Sequence, residues 1–226
     1  MLKREKIWGV CVGIGMLSIS LSYAQKPVIK DVTSSVITIT PPKKHLHTLG
    51  WPNDIINSVA VKTSKGLVII DTQSTPMNAR SVKNAINEYF NDSVYVFVIN
   101  THGHSAHTAG NIVFSESQVV AQINSVEEIK DYDNIFLGQT VDYLRKKIYN
   151  RTSQLDTTKL EGGLKDSLMA AIDLYRGYEN DLIDNYKPRT PDVTFEDRLV
   201  LGAENTTFEL FFMGSGHSSA DIVVYI

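Results

Sequence analysis

A chain of 226 residues with 42% hydrophobic content is long enough for one domain with a buried core, and 22 basic against 25 acidic residues leave a formal charge of -3. That balance excludes the basic footprint of a nucleic-acid binder. A single cysteine, Cys11, excludes a disulfide framework and a thiolate-rich metal centre.

In chain order, residues 1–24 read as an export signal. Lys3, Arg4 and Lys6 form a basic start, residues 7–21 an apolar stretch, and Ser22-Tyr23-Ala24 a small-x-small cleavage site. The apolar stretch is shorter than the roughly 20 residues of a spanning helix and is interrupted by Gly9, Gly13 and Gly15. Cleavage would leave no stable membrane anchor and put the product in the periplasm or outside the cell. Cys11 lies inside the apolar stretch, not at its end, and is badly placed for lipid attachment. The remaining portion, 25–226, has no thiol and carries 19 basic and 24 acidic residues, a formal charge of -5. Any metal it holds is bound by nitrogen and oxygen.

After a polar lead-in, residues 35–40 alternate as a half-buried strand. Residues 57–63 and 66–71 predict a hairpin turning at Ser64-Lys65-Gly66. Helical spacing at Ala79, Val82, Ala85, Ile86 and Tyr89 predicts a helix over 77–90, and the apolar run 94–99 a buried strand. Residues 124–187 have few β-branched runs and place Leu164, Leu168, Ile172 and Tyr175 at helical intervals, so a mainly helical insertion is expected there. Beyond Pro188 and Pro191, residues 193–195, 198–201 and 207–213 read as strands again, and 220–226 as a last apolar strand. Strand, helix, strand and then a polar site is α/β organisation.

The chemistry concentrates where the strand 94–99 ends. Thr101-His102-Gly103-His104-Ser105-Ala106-His107 places three histidines within six residues, and imidazoles in that pattern are a metal-ligand set. A second strand delivers His217 in Gly214-Ser215-Gly216-His217-Ser218. His45 and His47 form another His-x-His pair, but beside Pro41, Pro42, Lys43 and Lys44 they read as solvated surface. Asp221, four residues past His217, reads as a strand-start carboxylate facing solvent or a loop and not as a ligand.

The order of these blocks, Leu67-Val68-Ile69-Ile70-Asp71-Thr72, then His102-x-His104-x-x-His107, then Gly-x-Gly-His217-Ser218, resembles the metallo-β-lactamase superfamily over roughly residues 35–226. The resemblance implies an αββα sandwich with a metal site along one edge. It makes His102, His104 and His217 the three-histidine site, His107 a ligand of a second site, and Asp71 a residue that holds the histidine loop from behind. Two departures stand out. The family has an aspartate immediately before the third histidine of this loop, and here that residue is Ala106, whose methyl group neither binds zinc nor takes a proton. Ser105 is a poor substitute, being a neutral hydroxyl on a side chain that points elsewhere. The chain also stops at Ile226, where the family continues into further strands and ligands, so the C-terminal half of the sandwich is expected to be incomplete. An apolar patch on the inner face of the first sheet, covered by a partner chain, would follow.

The resemblance thus implies a zinc-dependent hydrolase in which metal-bound hydroxide attacks an ester, thioester or amide carbonyl, β-lactams among them. The expected partner is a small molecule, with Trp51 a pocket-lining candidate, and the expected cofactor is zinc, one ion at His102, His104 and His217. The alternative is a non-catalytic paralogue or gene fragment acting at most as a periplasmic binding protein, with Ala106 marking lost catalysis.

Overall fold

The computed structural model describes residues 26–41, 56–158 and 160–226, without the side chains of residues 132–134 and 136. The leader segment, His45, His47 and Trp51 lie outside the described residues. Among the described residues ten strands form two sheets, one of seven in the order β1-β2-β3-β4-β5-β6-β7 and one of three in the order β10-β9-β8.

The first sheet opens with antiparallel strands β1 (Val28–Asp31), β2 (Val36–Thr40), β3 (Ser58–Thr63) and β4 (Gly66–Ile70). The β3–β4 hairpin pairs Thr63 with Gly66, leaving Ser64 and Lys65 as a two-residue loop. Gly66 has φ 127, and a side chain there would stand 2.6 Å from the carbonyl oxygen of Val94, so glycine is required. From β4 the pairing turns parallel through β5 (Tyr95–Ile99), β6 (Gln118–Gln122) and β7 (Val193–Phe195). Strands covered on both faces need unbroken apolar runs, and every residue of Leu67-Val68-Ile69-Ile70 is buried.

Helix α1 (Pro76–Phe90) makes the β4-to-β5 crossover. Thr75 caps it by accepting a hydrogen bond from the Asn78 N–H, Pro76 sits in its first turn, and Asn91 ends it at φ 48. Its apolar face, Ala79, Val82, Ile86 and Phe90, packs on Ile37, Ile39, Leu67, Ile69 and Val98 of the first sheet. The opposite face of that sheet packs on β8 (Arg198–Ala203), β9 (Thr206–Phe212) and β10 (Ile222–Tyr225), joining Val61, Val68, Ile70, Ile99 and Val120 to Phe208, Leu210 and Ile222. Each such side chain contributes about 1.5–3 kcal/mol when fully buried.

The layering is therefore helix, sheet, sheet, the α/β organisation expected. One expectation is corrected at the centre of the first sheet. Its inner face is covered there by the three strands of the second sheet, which bury Val61, Val68, Ile70, Ile99 and Val120, while Val59, Val96, Phe97 and Val193 around them are partly buried. Val28 on the first sheet and Val200, Val223 and Tyr225 on the second are among the exposed apolar side chains.

The region after β6 holds two long helices, α3 (Ser125–Thr157) and α4 (Gly163–Asn185), after the one-turn helix α2 (Ser105–Thr108). Leu144, Tyr175, Tyr178 and Leu182 form their shared core with Ala109 and Met77. The Tyr178 hydroxyl donates to Asn78 Oδ1 at 2.7 Å, and Arg80 pairs with Asp181, which seats the hairpin on the start of α1. No helix among the described residues is long and apolar enough to cross a membrane. Two strands were not legible in the sequence: β1 lies in the polar lead-in and is mostly exposed, and β6 has only Val119-Val120-Ala121 as its apolar run.

Candidate metal centre

Three strand ends build the site. Asp71 directly follows β4, β5 leads into Thr101-His102-Gly103-His104, and the β9–β10 connection carries His217. The carboxyl ends of parallel strands leave backbone groups unpaired and loops free to converge, which is why α/β sheets bind ligands there.

Asp71 is the hinge of the arrangement. It is buried and sits at φ 62, a left-handed conformation that a non-glycine residue adopts only when its surroundings hold it. Here its N–H donates to the Ile99 carbonyl at 2.9 Å, and its own carbonyl accepts from the Ser58 hydroxyl at 2.6 Å. Its carboxylate then gathers the histidine loop: Oδ1 accepts from the Thr101 N–H at 2.8 Å, and Oδ2 accepts from the Thr101 hydroxyl and from His107 Nδ1, both at 2.8 Å.

These bonds set the chemistry of His102. The one proton of the Thr101 hydroxyl is given to Asp71, so that oxygen can only accept from His102 Nδ1, 3.1 Å away. Nε2 of His102 is thereby left with its lone pair, buried and without a hydrogen-bond partner among the described residues. An orphaned buried acceptor is costly unless something else binds it. Across from it, His104 Nδ1 and His217 Nε2 lie 3.0 Å apart. The ligand atoms of His102, His104 and His217 all fall within 4.8 Å of one another. Nitrogens bound tetrahedrally to a metal at 2.0–2.1 Å stand about 3.3 Å apart, so the spacing of the three fits a single metal ion.

Electrostatics favour the same outcome. Burial, reinforced by the neighbouring imidazole of His107, pushes His102 down to about 4, and burial with His217 lowers His104. Both are neutral at pH 7, the form in which imidazole binds metal.

His107 is not one of the three histidines whose ligand atoms converge. Its ring lies 4.1 Å from that of His102 at 52°, and its Nδ1 donates to Asp71, which leaves Nε2 as its acceptor nitrogen. Its carbonyl accepts from the Thr72 N–H at 2.8 Å, tying the α2 turn back to the end of β4. Ala106 lies half-buried in that same turn. Gly110 follows, where any side chain would overlap the Thr72 carbonyl oxygen.

Asp221 is not a member of the three-histidine group; its carboxylate folds the second loop. It accepts from the N–H groups of His217 at 2.5 Å and Ser218 at 3.0 Å, and from the Ser218 hydroxyl at 2.7 Å. Burial opposes its ionisation, but the bonds from Ser218 and His217 outweigh it and hold Asp221 below the usual carboxylate range. Sequence reasoning missed Thr101 and Glu128 altogether. Glu128, from α3, accepts from the Gly103 N–H at 2.9 Å and from the N–H and hydroxyl of Ser219, both at 2.7 Å.

Residues 51–226 match the sequence profile of the metallo-beta-lactamase superfamily. The chain belongs to the metallo-β-lactamase superfamily. Solved members share its fold: a metallo-beta-lactamase from Pontibacter korlensis superposes with a TM-score of 0.53 at 17% identity, over 89% of this chain and 67% of that one. The metallo-beta-lactamase IND-7 gives 0.51 at 18% identity over 89% and 67%, and DIM-1 metallo-beta-lactamase 0.51 at 12% over 89% and 65%. This superfamily member thus spans about two thirds of the length of these structures. No curated protein matches it. Metal binding is normal in the superfamily, and the three-histidine cluster is the feature of this chain that fits it.

Proposed function

We propose that this superfamily member is an exported hydrolase that holds one zinc ion at His102, His104 and His217 and acts on an ester, thioester or amide carbonyl, β-lactams included. The observation that carries the reading is the convergence of three imidazoles on one point, with His102 Nε2 buried and unpartnered among the described residues. When bound, zinc supplies Lewis acidity, polarising a carbonyl and lowering the pKa of water to about 7.

The chain's own residues supply orientation. Asp71 and Thr101 fix the tautomer of His102, and Asp221 shapes the turn that presents His217. Asp71 also holds the His107 ring against His102. At Ala106 no side chain can position a nucleophile or carry a proton, so turnover is slower by about 10²-fold or more than with a carboxylate there.

Ala106 also favours a second reading, a metal-binding protein without hydrolytic activity. Metal analysis and kinetics of the purified chain separate the two. One zinc per chain, with hydrolysis of a chromogenic ester or β-lactam that a chelator abolishes and that rises about 10²-fold in Ala106→Asp, supports the hydrolase. One zinc with no hydrolysis in either form supports the second reading, and no zinc at micromolar supply sinks both.

A further inference from the structure

The two loops that carry the histidines come from different sheets. His102 and His104 follow β5 of the first sheet, whereas His217 precedes β10 of the second. Their spacing is therefore not fixed by any one strand ladder, and a few tenths of an ångström between the sheets would open the 3.0 Å approach of His104 to His217. Something has to tie one loop to the other.

The geometry points to Glu128 as the positioning residue that clasps the two histidine loops at metal-binding distance. Glu128 stands in the first turn of α3, where the positive end of the helix dipole favours a carboxylate. One oxygen accepts from Gly103, the residue between His102 and His104; the other accepts twice from Ser219, two residues beyond His217. Bonds of this kind to an ionised acceptor are roughly twice as strong as neutral ones. The Ile222 N–H also joins the two sides by donating to the Thr101 carbonyl at 3.0 Å, but it stands five residues beyond His217, whereas Ser219 stands two beyond it.

An independent feature agrees. A Cβ built at Gly103 would stand 2.5 Å from Glu128 Cβ and 2.6 Å from its Oε2. The residue between the two ligands is a glycine because the glutamate presses against it. A side chain in that place would displace the carboxylate from the backbone N–H it accepts from. Glutamate also has the length and the two acceptor oxygens that a double clasp needs, whereas a glutamine could accept at one loop only and would turn its NH₂ toward a donor at the other.

The inference rests on the metal site proposed above, and two measurements on Glu128→Gln keep their failures apart. Zinc affinity is read by competition with a chromophoric chelator, and hydrogen exchange at the Gly103 and Ser219 amides is read on the metal-free chain. Expected are a rise in the zinc Kd of about 10-fold or more, a changed Co²⁺ absorption spectrum, and faster exchange at both amides. Glu127→Gln, one residue away and exposed, leaves all three unchanged. Should Glu128→Gln not fold, Ser219→Ala removes one of the two donors on that arm and gives a smaller rise in the same direction. Equal zinc affinity in wild type and Glu128→Gln overturns the clasp while leaving the metal site standing. A wild type that binds no zinc overturns the metal site, and the exchange rates then decide the clasp alone: unchanged protection overturns it.

Discussion

At the scale of single residues, the site is a set of protonation states imposed by neighbours. The Thr101 hydroxyl donates its hydrogen bond to Asp71 and so makes His102 donate from Nδ1, leaving Nε2 with its lone pair. The same burial that isolates Nε2 gives the metal-free protein a pH dependence whose sign can be worked out. The unfolded chain protonates residue 102 near pH 6.5, whereas the folded chain does so only at about 4. Between those values the unfolded state binds more protons, so the stability present above pH 6.5 is lost as pH falls toward 4, and His104 shifts in the same direction. Urea unfolding of the metal-free chain should show a lower midpoint at pH 5 than at pH 7.5, with a smaller difference in His102→Gln. A midpoint that rises on acidification would contradict the burial of this imidazole.

At the scale of elements, local sequence explains why each piece forms but not why the pieces meet. Thr75 and Pro76 start α1, and its 77–90 spacing was readable because one face is apolar. The hairpin turn at Ser64-Lys65 and the buried run of β5 were readable for similar local reasons. β6 was not, since its stability comes from lying between β5 and β7 and not from its own short apolar run. The junction of α1 with the α2 turn is where elements press hardest. Gly110 donates its N–H to the Gln73 carbonyl at 3.2 Å, and a Cβ there would lie 2.5 Å from that of Ala79 as well as against Thr72. Gly110→Ala is therefore expected to cost about 1–3 kcal/mol in urea unfolding, because backbone on both sides must shift. A change within about 0.5 kcal/mol, typical of an unconstrained surface site, would show that the junction is loose.

At the scale of the whole molecule, the three histidines of the candidate metal centre come from loops of two sheets. A ligand that binds the folded state alone stabilises it by mass action, about 2.7 kcal/mol at a hundredfold excess over its Kd. Since His102 and His104 belong to one sheet and His217 to the loop before the last strand of the other, zinc should raise the thermal midpoint of the entire domain, and a chelator should lower it in a single transition. Substituting His217→Ala should abolish most of that increment while leaving the first sheet's core intact. A zinc increment that survives this substitution would place the ion elsewhere.

The amino-acid sequence by itself determined the lineage and the ligand candidates. Histidines two residues apart at a strand end, and another after a later strand, are local patterns that survive without neighbours. It also carried the loss of a carboxylate at Ala106, since a side chain's chemistry is its own. Only the tertiary structure decided that His104 and His217 meet while His107 turns to Asp71, that Asp221 folds a loop, and that Glu128 reaches two loops at once. Those are distances between residues up to 113 positions apart, fixed by how two sheets pack, and no local pattern encodes them.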